Sequence, residues 1–176
     1  MSKIKAAFFD RDGTIIKDVG FFSDLNQVEV LPRAVELCSF LQKEGYKLFV
    51  VTNQSGIARG RFGEDFVQKT HEHLKQLFKQ LGVEFEKIYY CPHHHLEAVK
   101  PEYLKDCFCR KPNPGMLLQA AQEFDIDLGS SLMFGDKLID VQAGNAAGCK
   151  SFFIQPFLLS TESIQTLNFE KFSNYL

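Results

Sequence analysis

Two carboxylates flank an arginine in the run Asp10-Arg11-Asp12-Gly13-Thr14, directly after the apolar segment Ala6–Phe9. At i and i+2, with Gly13 helping the chain to turn, both can point into one crevice once the chain leaves a sheet. A third carboxylate, Asp136, follows Gly135 after another apolar run, with Asp140 four residues on. Clustered carboxylates repel one another unless a cation is present, and oxygen donors select a hard ion, here Mg²⁺. Thr52 and Asn53 offer a hydroxyl and an amide at the end of a further apolar run, while Arg110 and Lys111 add positive charge. Carboxylates, Mg²⁺ and a lysine together meet the demands of phosphoryl transfer, which neutralises the phosphoryl oxygens and brings an anionic nucleophile to phosphorus. Any one of these aspartates alone reads better as a helix cap or turn residue. The set does not fit independent caps.

A second constellation is rich in sulfur. Cys91-Pro92-His93 and Cys107-Phe108-Cys109 bracket a polar loop that also contains His94 and His95. Three thiolates and an imidazole make a closed tetrahedral site, and sulfur ligation selects zinc. Cys38 and Cys149, by contrast, read as small buried residues.

These residues must be held by regular elements. Short apolar runs at Ala6–Phe9, Leu48–Thr52, Ile88–Cys91, Leu132–Phe134 and Ser151–Ile154 read as strands covered on both faces. Between them, Arg33–Glu44, Glu64–Leu81, Pro114–Phe124 and Ile139–Ala147 carry helical periodicity, three of them stopping at Gly45, Gly82 and Gly148. The alternation predicts an α/β fold with a doubly wound parallel sheet, and one short helix is expected near Thr161–Leu167. In such sheets ligands bind outside the carboxyl ends of the strands, where the carboxylates stand. The 176 residues suit one domain spanning 1–176. A net charge of −2 gives no footprint for nucleic acid, and no apolar stretch is long enough to span a bilayer. Five cysteines without a secretory signal point to a reducing, cytoplasmic setting, and the absence of an apolar stripe makes a monomer the expectation.

In order, DRDGT, VVTNQS, RKPNPG and GDKLID resemble the four motifs of the haloacid dehalogenase superfamily of phosphohydrolases, and they cover most of the chain. The resemblance implies Asp10 as nucleophile through an aspartyl-phosphate and Asp12 as general acid, then general base. It implies that Thr52 and Lys111 hold the transferring phosphoryl group. It further implies Mg²⁺ on Asp10, the backbone carbonyl of Asp12, and Asp136, with Asp140 orienting Lys111 or the metal. Relatives with a cap insert it after the first motif or between the second and third. Here Thr14 to Pro32 has room only for a loop, and Asn53 to Arg110 is already filled, so the protein should be capless.

The run CPHH followed by CxCRKP is similar to the zinc loop of the D-glycero-D-manno-heptose 1,7-bisphosphate phosphatases and of the related histidinol-phosphatase domain. That similarity makes His93 the fourth ligand beside Cys91, Cys107 and Cys109, and leaves His94 and His95 solvated or near substrate. TNQSGIARGRF and CRKPNPGMLLQAA fit the heptose subgroup better, implying a small sugar bisphosphate as substrate. By its pattern Asp18, Val19, Gly20, Phe21, Asn53, Gln54, Ser55 and Arg110 line the pocket, and Arg59 is a further candidate for a second phosphate. Phe21-Phe22 departs from the usual Gly-Tyr, and the tail FFIQPFLLSTES lacks a Gly-rich stretch. The anomer of the sugar therefore stays open, as does a histidinol-phosphate or broader phosphomonoesterase. A non-catalytic phosphate-binding module would require one catalytic aspartate to be replaced, and neither is.

Overall fold

The fold is given by a computed structural model, which describes residues 3–164. Five parallel strands form one sheet: β1 (Ala6–Phe9), β2 (Lys47–Asn53), β3 (Phe85–Cys91), β4 (Leu132–Gly135) and β5 (Lys150–Phe153). Their order is β3-β2-β1-β4-β5, so the chain builds outward from β1 and then returns to its other side. That reversal opens a crevice between the carboxyl ends of β1 and β4, the place where such sheets bind ligands.

Alternation along each strand divides the core into two layers. On one face Ala7, Phe9, Leu48, Val50, Phe85, Phe134 and Phe152 pack with helices α1 (Pro32–Lys43) and α2 (Glu64–Gln80). On the other, Ala6, Phe8, Phe49, Val51 and Met133 meet α3 (Gly115–Phe124) and α4 (Leu138–Ala147). Stacked rings of Phe9 on Phe134 and Phe134 on Phe152, each 5.2 Å between centroids, tie β1, β4 and β5 together. Burial of each such side chain contributes about 1.5–3 kcal/mol, so the strand ends project from a rigid floor.

Strand β3 begins three residues before the apolar run that announced it. Glu86 and Lys87 hide its start, yet on this edge strand they pair outward with Lys47 and Glu123, each at 2.6 Å. In the tail, a short helix α5 occupies Gln155–Leu159, with Pro156 in its first turn and Phe157 in the core. It lies earlier than the expected helix near Thr161–Leu167, of which 165–167 fall outside the described residues. Between Thr14 and Pro32 the chain forms a bridged loop with a 3-10 turn at Leu25–Gln27, and no cap subdomain interrupts the motifs among the described residues.

Candidate active site

Asp10 leaves β1 beside the end of β4, donating its backbone N–H to the Phe134 carbonyl at 2.9 Å. Its carboxylate receives the Lys111 ammonium at 2.6 Å, and the same ammonium reaches Asp140 Oδ1 at 2.7 Å and the Val51 carbonyl at 2.7 Å. Lys111 is 2 % exposed. Burial works against its charge, but Asp10 and Asp140 outweigh burial and leave its pKa raised. Asn53 fixes this lysine from behind, accepting its backbone N–H and donating to its carbonyl, both at 3.0 Å. The lysine from a distant loop is thereby bonded to the end of β2.

Carboxylate oxygens of Asp10, Asp136 and Asp140 all lie within 4.8 Å of one another. Burial, reinforced by the charge on Asp10, raises the Asp136 pKa to about 6. One of its oxygens, Oδ1, is buried without a hydrogen-bond partner among the described residues. Gly13 makes this approach possible: its φ is +78°, and a Cβ there would stand 2.5 Å from Asp136 Oδ2. A crowded oxygen donor set with an unsatisfied lone pair fits a hard divalent cation.

Asp12 turns away from that cluster, its side chain 19 % exposed against 8 % for Asp10. Arg11 contacts its carboxylate at 3.0–3.2 Å, and Gln54 Nε2 donates to it at 3.0 Å and to Thr52 Oγ1 at 2.9 Å. Burial raises the Asp12 pKa despite the opposing pull of Arg11. A deep, lysine-paired carboxylate beside a shallower one whose pKa is raised is the pairing expected of a nucleophile and an acid.

A cavity of about 230 Å³ opens over Asp12, lined also by Arg11, Asp18, Gly20, Phe21, Asn53, Gln54, Ser55, Phe62 and Lys137. Val19 and Arg110 are not among its lining residues. Asp18 accepts the Gly20 N–H at 2.9 Å, which lowers its pKa first, and meets Lys137 at 3.4 Å. Arg11, Lys137 and Phe62 were not singled out in the sequence. Adjacency to Asp10 and Asp136 in the chain was the available signal for Arg11 and Lys137, whereas Phe62 meets Gly56, six residues earlier, only in the fold.

The sulfur constellation also assembles. Cys91, Cys107 and Cys109 Sγ atoms are 3.1–3.4 Å apart, and His93 Nδ1 lies 3.5–3.6 Å from Cys91 and Cys109. A tetrahedral zinc with bonds of about 2.3 Å to sulfur and about 2.0–2.1 Å to nitrogen sets sulfur and nitrogen about 3.6 Å apart, which His93 already meets, and sulfurs about 3.8 Å apart, somewhat wider than here. Contact with Cys91 comes first in drawing the Cys109 thiol below its ordinary value, while the same contact pushes Cys91 up. The loop is anchored to the site: Arg110 donates to the His93 carbonyl at 3.1 Å, and Gly115 N–H to Phe108 O at 3.1 Å. Of the two expectations for His94, solvated or near substrate, the first fails, because the side chain is buried. Its Nδ1 accepts N–H groups of Leu96 and Glu97 at 3.2 and 3.0 Å, and its Nε2 lies 3.1 Å from Arg59. Arg59 also pairs with Glu97 at 3.1 Å, so it is committed to the loop.

Residues 17–148 match the haloacid dehalogenase-like hydrolases. The chain belongs to that family. Among the members most similar to this hydrolase, D-glycero-beta-D-manno-heptose-1,7-bisphosphate 7-phosphatase of Pasteurella multocida is 43% identical over 98% of this chain and 90% of its own length. The alpha-anomer 7-phosphatase of Photorhabdus laumondii is 39% identical over 87% of this chain and 83% of its own. A crystal structure of D,D-heptose 1,7-bisphosphate phosphatase from B. bronchiseptica, complexed with magnesium and phosphate, superposes with a TM-score of 0.73. It is 32% identical and covers 85% of this hydrolase and 80% of that chain. No helix of the described residues is long and apolar enough to cross a membrane.

Proposed function

We propose that this hydrolase removes the C7 phosphate of a D-glycero-D-manno-heptose 1,7-bisphosphate, leaving the heptose 1-phosphate. The observation that carries the reading is the near full-length identity to the Pasteurella enzyme, joined to an unbroken Asp10–Asp12–Lys111–Asp140 constellation. Asp10 is the nucleophile. Its carboxylate oxygen bonds to phosphorus as the bond from phosphorus to the C7 oxygen breaks, and Asp12 gives that oxygen its proton. In the second half, a water donates its proton to Asp12 and attacks the phosphorus of the aspartyl-phosphate, freeing Asp10 and inorganic phosphate. Lys111 and the Thr52 hydroxyl hold the transferring group, and Asp140 keeps the ammonium aimed at it.

Asp10, Asp136 and the Asp12 carbonyl would hold Mg²⁺, which when bound offsets the charge of the phosphoryl oxygens. Cys91, His93, Cys107 and Cys109 would hold a zinc ion with no open position, so its part is structural. Asp18, Gly20, Phe21, Asn53, Gln54 and Ser55 line the cavity and meet the sugar and its second phosphate, while Val19 and Arg110 keep the substrate role that the resemblance implies. The protein works as a monomeric, single-domain cytoplasmic enzyme.

Phosphate release across both heptose bisphosphate anomers, fructose bisphosphate and histidinol phosphate tests the reading. The highest kcat/KM is expected on one heptose anomer. A higher value on histidinol phosphate would replace the proposal with the histidinol-phosphatase alternative.

A further inference from the structure

Helix α2 buries Val67, Leu74 and Phe78 in one apolar stripe, and a histidine stands in the middle of it. His71 is 6 % exposed, and its Nε2 lies 3.3 Å from Nη1 of Arg11, itself 3 % exposed. The rest of that guanidinium is turned on the reacting side. Its Nη2 donates to Gln54 Oε1 at 2.9 Å and to Asp12 Oδ1 at 3.1 Å, and Nε lies 3.2 Å from both Asp12 oxygens. The Phe22 ring lies under it, 5.3 Å from Cζ to the ring centroid.

Arginine offers only donors, so the nitrogen facing it must carry a lone pair. His71 is therefore neutral, with its proton on Nδ1. Its surroundings agree, since burial and then the charge of Arg11 lower its pKa from 6.5 to about 3. The edge of Tyr90 closes the other side, 5.5 Å between ring centroids. A residue that only filled this stripe could be leucine. Leucine would strip the Nη1 donor of its acceptor inside the core, and a buried guanidinium left short of acceptors rotates to find another. Asp12 is held by the other arms of the same fork and would turn with it.

We propose that His71 is a positioning residue for proton transfer, fixing Arg11 so that the Asp12 carboxyl faces the leaving oxygen. The inference rests on Asp12 being the general acid, as argued above. It makes a prediction about leaving groups. An alkoxide such as the C7 oxygen needs the Asp12 proton when its bond to phosphorus breaks, whereas p-nitrophenolate departs without one. The parameter kcat/KM reports this first phosphoryl transfer for both esters.

The experiment compares kcat/KM on heptose 1,7-bisphosphate, or on any alkyl phosphomonoester the enzyme turns over, with p-nitrophenyl phosphate. It uses full-length wild type, His71→Leu, His71→Gln and Asp12→Asn. The ratio of the two values cancels any loss of folded protein. His71→Leu should lower the alkyl-ester value by roughly 10–100-fold and the aryl-ester value far less, as for a misplaced catalytic group. His71→Gln, which can present an amide oxygen to Nη1, should recover most of the ratio. An unchanged ratio in His71→Leu, or a Gln variant no better than Leu, overturns the inference. If Asp12→Asn itself leaves the ratio unchanged, the acid assignment falls and takes the inference with it. A wild type inactive on the heptose ester but active on another alkyl ester refutes the substrate reading alone.

Discussion

The strand-end carboxylates and the cysteine loop are positioned in opposite ways. Asp10 and Asp136 emerge from β1 and β4, neighbours in a sheet with stacked phenylalanines beneath them. Cys107 and Cys109 lie in a stretch without strand or helix, held by sulfur contacts, by Arg110 on the His93 carbonyl and by the start of α3. One site inherits its geometry from the core. The other must make its own, yet Arg110 and Lys111 follow directly from it. One fold thus places carboxylates on a rigid floor and leaves the neighbouring cations to a loop held by its own side-chain contacts.

Asp10→Asn probes the first region alone and should have the largest effect. Turnover should fall by on the order of 10⁴-fold or more, as when a nucleophile is removed, while thermal unfolding stays cooperative. Residual steady-state turnover near wild type would show that the strand end is not where the chemistry occurs. Cys109→Ala probes the second. Metal analysis should show zinc lost, and kcat/KM should fall about 10²-fold through displacement of Arg110 and Lys111. The far-UV circular dichroism of the sheet should persist; its collapse would mean that the two regions are not separable.

The smallest effect sharpens the comparison from the core side. His71 has its pKa depressed from 6.5 to about 3, by burial first. Between those values the unfolded chain binds a proton that the folded chain refuses, so stability is whole above 6.5 and drains as pH falls toward 3. The slope from this group is at most about 1.4 kcal/mol per pH unit. His71→Gln removes the group and should flatten the urea midpoint profile over that window. Parallel profiles for the two proteins would refute it.

Much of this was legible because the relevant signals are local. The turn Asp10–Gly13 and the cysteine spacings keep their meaning without knowledge of what packs above them. What the sequence hid was partnership across the fold. The spacing of Val67, His71, Leu74 and Phe78 turns His71 inward and His73 outward, but nothing in Glu64–Leu81 names Arg11 as the partner of His71. His94 escaped for a similar reason, since only the folded loop brings the Leu96 and Glu97 amides to its ring. β3 was cut short because the charges of an edge strand face solvent partners that a run of apolar letters cannot show.

The two hydrogen bonds between Asn53 and the Lys111 backbone join positions 58 residues apart in the chain. They clasp the two ends of one span, fastening the backbone that carries the ammonium to the strand end that carries Thr52. The clasp makes that span one unit of inheritance: a relative's segment cut at 53 and 111 would have to bring its own partners for Asp12 and Arg11, as Gln54 and His71 are here.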